Sequence, residues 1–165
     1  FRKIVHRNLN PKSIFISDDG HIKIGEFGIS KLITPNEQFA LSMKGLNCGI
    51  EYMSPELKEE EGEYDEKVDV YSFGRIILYI LNSGQIKNAK TKQVEIPKTF
   101  TEFSTNIIEE CTNENPKERP SFENICENIE NNYHRMIHLT AKEKRKIKTF
   151  IEEHKKQIPN YTSLK

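Results

Sequence analysis

The residues His6-Arg7-Asn8-Leu9-Asn10-Pro11-Lys12-Ser13 bring an imidazole, two cations, two amides and a hydroxyl into one short stretch. Taken alone, His6 is either a packed or exposed side chain or a catalyst. A single histidine more often packs or sits in solvent than catalyses, and that plainer role is preferred here. The Asn8 amide has no useful basicity at neutral pH. Further along, Glu26 opens Glu26-Phe27-Gly28. Its carboxylate is either an ordinary exposed group after a strand or a ligand for a hard cation. Cys48, Cys111 and Cys126 are odd in number and scattered, with no C-x-x-C pair. They read as reduced thiols rather than as disulfides or a zinc site.

These residues need elements to hold them. Ile14 and Ile16 alternate with other residues, as do Ile22 and Ile24, and Asp18-Asp19-Gly20 supplies the turn, so a short β-hairpin is expected directly after the first cluster. From Gly25 to Glu51 no period is sustained and glycines and Pro35 interrupt every candidate element, which predicts a long loop. Val70, Phe73, Ile76, Ile77, Ile80 and Leu81 recur at helical spacing with apolar residues almost all round, marking a central buried helix stopped by Asn82-Ser83-Gly84. Helices are also expected over 102–113, with Ile107, Ile108 and Cys111 inward, and over 122–138. A last one opens at Thr140 in a T-x-x-E capping box with Glu143. The fold is therefore mainly α.

The chain's 165 residues suit one domain, and its 25 basic and 25 acidic side chains cancel. No overall field draws it to nucleic acid or to an anionic membrane. No apolar run approaches a membrane span, and a cytoplasmic location is expected. The final segment carries Lys142, Lys144, Arg145, Lys146 and Lys148 beside Ile147, Phe150 and Ile151. It reads as a solvated helix packing on its neighbour in preference to a surface anchor.

The order and spacing of His6 to Ser13, Glu26-Phe27-Gly28 and Ser54-Pro55-Glu56 resemble the signature set of protein kinases. Asp69-Val70-Tyr71-Ser72-Phe73-Gly74 resembles the opening of that family's central helix, and Asn115 to Phe122 its late arginine motif. The wording leans toward the tyrosine-kinase-like branch. The resemblance implies the larger, C-terminal lobe over 1–138, with the hairpin beside the catalytic loop, and a basic helix and tail over 139–165. The smaller lobe is expected to be absent, since Phe1 leads almost directly into a catalytic-loop motif.

The same resemblance implies which parts are altered. Kinase catalysis rests on positioning and charge neutralisation around the phosphoryl group. Asn8 stands where the family has its aspartate base, and Asn10 where a lysine faces the phosphate. Ser13 replaces the asparagine that reaches magnesium, which needs oxygen at about 2.0–2.1 Å. Glu26 replaces the aspartate of D-F-G, the mildest change. His6, Arg7, Phe27, Gly28, Glu56, Asp69 and Arg119 match structural positions, Glu56 and Arg119 as a buried ion pair. Arg7 often receives a phosphate in this family, and Thr34 or Ser42 could carry one.

The expectation is a degenerate, pseudokinase-like module that acts by protein contacts in signalling, needs no cofactor, and meets a protein partner or an upstream lobe. The alternatives are an atypical protein kinase using ATP and magnesium once an upstream lobe completes it, and a truncated relic. Without the missing lobe, Val70, Phe73, Ile77, Ile80 and Leu81 are expected to leave part of the central helix bare.

Overall fold

The computed structural model describes residues 3–33, 40–41, 49–58, 63–84, 95–136, 140–142, 145–146 and 148–149. The described residues are helix-rich, with three small antiparallel sheets of two strands each among them. Strand β1 (Lys3–Val5) pairs with β4 (Lys31–Ile33), β2 (Ile14–Ile16) with β3 (Ile22–Ile24), and β5 (Ala40–Leu41) with β6 (Glu63–Tyr64). Among the described residues the α-helices with defined bounds are α1 (Pro55–Lys58), α2 (Lys67–Leu81), α3 (Glu102–Cys111) and α4 (Phe122–Asn132).

The β2–β3 hairpin closes as its turn residues require. Gly20 takes φ 84°, its N–H donates to the Ser17 carbonyl at 2.8 Å, and Ser17 N–H donates to the His21 carbonyl at 2.9 Å. Helix α2 stops where Ser83 and Gly84 turn left-handed, with Gly84 N–H donating to the Tyr79 carbonyl at 2.8 Å. Thr101 and Ser121 cap α3 and α4, their hydroxyls accepting from Ser104 N–H and Asn124 N–H.

Two expectations are corrected and a third is met in part. The stretch 25–51 is not elementless: Phe27–Ile29 forms a 3-10 turn, and β4 and β5 find partners distant in sequence. Local periodicity cannot show such pairing, because the hydrogen-bond partner lies elsewhere in the chain. The helix expected over 122–138 ends at Asn132, where the Asn132 amide donates to the Asn128 carbonyl and the chain passes into a 3-10 turn at Tyr133–Arg135. Helix α2 is also better covered than its pattern suggests. Val70 and Ile77 are buried and Phe73 and Leu81 pack against the core, so the part of this helix expected to be left bare is narrowed to Ile80, 65 % exposed.

The main core joins α2, α3 and α4 through Val70, Ile77, Leu78, Phe103, Ile108 and Ile125. Gly74 sets the spacing of α2 and α3, since a Cβ there would lie 2.7 Å from Cys111 Cβ. A second core of Val5, Met53, Leu57, Tyr64 and Val68 ties β1 and the 53–57 segment to the start of α2. Residue 143 of the capping box, the apolar residues 147, 150 and 151, the candidate phosphate carriers Thr34 and Ser42, Cys48, and the boundary at 138–139 lie outside the described residues.

Candidate functional site

The loop that follows β1 is hung from the first turn of α2. One Asp69 oxygen accepts from His6 N–H at 2.6 Å and the other from Arg7 N–H at 2.9 Å. That grip holds Arg7 at φ 65°, a left-handed conformation costing on the order of 1–3 kcal/mol for a residue with a side chain. Burial pushes the Asp69 carboxyl above its ordinary pKa, and the two N–H donors pull the other way.

His6 is used up by structure. Its Nδ1 faces Asn8 N–H at 3.2 Å and its Nε2 lies 2.7 Å from the Gly25 carbonyl, so Nε2 carries the proton. Phe27 meets the imidazole edge-on at 4.7 Å. Gly25 N–H also donates to the Ser13 carbonyl at 2.9 Å, which brings the Glu26 turn against the loop. A side chain at Gly25 would collide with the Phe15 ring at 2.8 Å.

Asn8 and Ser13 are both bonded to Asn10. Asn10 Nδ2 donates to the Asn8 carbonyl at 2.7 Å and to Asn8 Oδ1 at 3.0 Å. Asn10 Oδ1 accepts from Lys12 N–H at 2.9 Å, and Pro11 begins a 3-10 turn that Asn10 caps. Ser13 returns the cap: its hydroxyl accepts from Asn10 N–H at 3.1 Å and donates to the Asn10 carbonyl at 2.8 Å. Ser13 is wholly buried in this knot, which contains no ionised group. Glu26, at φ 62°, is exposed, as are Phe27 and Gly28. Among the described residues no group of three His, Cys, Asp or Glu could hold a metal. The Ser13 hydroxyl is committed to Asn10, and the Glu26 carboxylate stands exposed.

Glu56 and Arg119 form a two-pronged pair, Nη1 to Oε1 at 2.5 Å and Nη2 to Oε2 at 2.9 Å. Arg119 also donates to the Asn113 and Lys67 carbonyls at 2.8 and 2.9 Å and stacks on Tyr71. Lys67 Nζ reaches the Arg119 carbonyl. This pair ties α1 to the start of α2 and to the turn before α4.

Three further contacts were not expected from the sequence. Arg7 is buried and its Nη1 donates to the Tyr64 hydroxyl at 2.8 Å, so part of the guanidinium is committed inside the second core. Arg75 and Ser72 of α2 donate to the Glu51 and Tyr52 carbonyls at 2.8 and 2.9 Å. The clue available for Arg75 is a lone cation inside an apolar helical run. A small cleft runs between the loop residues Asn8, Leu9 and Asn10 and the facing residues Gly49, Tyr52 and Met53.

Residues 1–129 match the family "protein tyrosine and serine/threonine kinase", and the chain belongs to that family. Serine/threonine-protein kinase 12 of Arabidopsis thaliana is 32% identical over 93% of this chain and 36% of its own length. Serine/threonine-protein kinase VIK of Arabidopsis thaliana is 34% identical over 77% of this chain and 32% of its own length. Dual specificity protein kinase shkE of Dictyostelium discoideum is 30% identical over 76% of this chain and 19% of its own length. The chain thus spans about a third or less of these curated relatives. Among the described residues no helix is long and apolar enough to cross a membrane.

Proposed function

We propose that this chain is a pseudokinase-like module of the tyrosine-kinase-like branch, working in the cytoplasm through contacts with a protein partner and transferring no phosphate. The observation that carries this reading is the knot of Asn8, Asn10 and Ser13. At the positions where the family places a base, a cation and a metal ligand, these side chains satisfy one another and present no ionised group. Loss of a positioned base costs about 10²–10⁴-fold by itself. The lost cation and metal ligand add to that, because transition-state charge is stabilised by groups already aimed at it. ATP and magnesium are not expected to be held by this chain.

A second reading has some support. Asp69 still holds the loop, Glu56 still pairs with Arg119, and Glu26 keeps a carboxylate. In that reading an upstream lobe brings ATP and magnesium to an atypical serine/threonine or tyrosine kinase. Radiolabelled ATP and magnesium with purified chain separate the two. No incorporation above a protein-free blank is expected, whereas transfer that vanishes in Glu26→Ala overturns the first reading. The same assay on the longest native product tests the second.

A further inference from the structure

Helix α2 carries a charge in the wrong place for stability alone. Arg75 follows Gly74 in an apolar run and is 3 % exposed, and among the described residues no carboxylate lies within ion-pair distance of it. An apolar side chain of similar volume usually serves such a position as well or better, because it avoids desolvating a cation. The guanidinium makes a directed contact instead: Nε donates to the Glu51 carbonyl at 2.8 Å.

Its neighbours on the helix share the task. Ser72, three residues earlier, donates to the Tyr52 carbonyl at 2.9 Å, and Tyr79, four residues later, meets the Tyr52 ring edge-on at 6.2 Å. Positions 72, 75 and 79 fall on one helix face. That face grips two consecutive carbonyls and the ring of one residue. The strip so held forms one wall of the cleft opposite Asn8 and Asn10, through Tyr52 and Met53. Burial pushes the Tyr52 phenol up to about 12, with the Arg75 charge acting against it, as a cation beside the ring would.

We propose that Arg75 is a positioning residue: from inside the core it fixes the backbone of Glu51 and Tyr52, and so sets the position of the cleft wall that faces the Asn8–Asn10 loop. The assignment holds whether or not the chain transfers phosphate, and it requires no modification of the chain.

Arg75→Met and Arg75→Lys in the full chain test it, read by chemical denaturation and by amide hydrogen exchange. Arg75→Met is expected to leave the denaturation midpoint unchanged or raised, while exchange of the 51–54 amides speeds up about tenfold or more, corresponding to about 1.4 kcal/mol of local protection, and α3 stays as it was. Arg75→Lys, which can still donate to a carbonyl, is expected to restore part of that protection. Equal change at 51–54 and in α3, no change at 51–54, or no restoration by lysine overturns the proposal. The wild-type protein gives a reading that needs no variant to fold: the Arg75 Nε–H resonance is expected to exchange slowly, and exchange as fast as that of solvent-exposed arginines overturns the assignment.

Discussion

The α2–α3 contact and the β2–β3 hairpin are built from similar residues and reach opposite ends. In the first, Ile77, Leu78, Ile107 and Ile108 are buried in one core, and Gly74 lies against Cys111. In the second, Phe15, Ile16, Ile22 and Ile24 are at least half exposed, Ile16 at 71 %. A helix pair buries its apolar stripes by closing on itself, and Gly74 lets the backbones approach. A lone pair of strands has two faces, and in the described residues neither face of this hairpin is covered by a second layer. Apolar content therefore reports stability in one region and exposed surface in the other.

The comparison can be broken or sharpened by experiment. The largest effect is expected where charge is buried at the helical end. Arg119→Ala leaves Glu56 without its partner and should destabilise by about 3–5 kcal/mol in chemical denaturation. An unchanged midpoint would mean that the pair contributes shape without stability. Next, Ile108→Ala should cost about 2–5 kcal/mol, whereas Ile16→Ala should stay within about 0.5 kcal/mol. Equal losses would show that the hairpin face is covered in solution.

The exposed face should be visible directly. Wild-type chain is expected to bind a hydrophobic dye and to self-associate in sedimentation, and Ile16→Asn with Ile22→Asn should reduce both without lowering the midpoint. A monomeric wild type that ignores the dye would remove the contrast.

The smallest effects lie in two carboxyls, one from each region. Asp69 is raised by burial and Asp19 is lowered, chiefly by the Ser17 hydroxyl. An acid raised on folding binds more protons in the folded state. The contribution of Asp69 to stability is thus full below the unfolded value and is lost as pH rises through its folded value. For Asp19 the sign reverses: its contribution is present above the unfolded value and is lost as pH falls through the lowered folded one. Carboxyl ¹³C titration should place Asp69 above 3.8 and Asp19 below it, and Ser17→Ala should bring Asp19 back toward 3.8. Coincident midpoints would contradict both environments.

Much of this molecule was legible because its causes are local. The β2–β3 turn follows from Asp18-Asp19-Gly20, the span of α2 from its apolar period and its left-handed exit at Ser83-Gly84, and the inward face of α3 from Ile107, Ile108 and Cys111. The motif order from His6 to Arg119 was sufficient for family membership, which residues 1–129 also support. Residue types alone likewise determined that positions 8, 10 and 13 carry two amides and a hydroxyl.

Only the tertiary structure decided what those side chains do with their hydrogen bonds. The closing of Asn8, Asn10 and Ser13 on one another depends on rotamers and on a cap geometry shared with loop backbone. The pairing of β1 with β4, the Arg7 contact to Tyr64 and the Arg75 contact to Glu51 join residues 24 to 57 positions apart, beyond the reach of any helical or strand period. The larger bare apolar face fell on the hairpin, with Ile80 alone strongly exposed among the apolar residues of α2, for the same reason. A sequence records which side chains are apolar, but which of them meet a second layer depends on how separate elements pack.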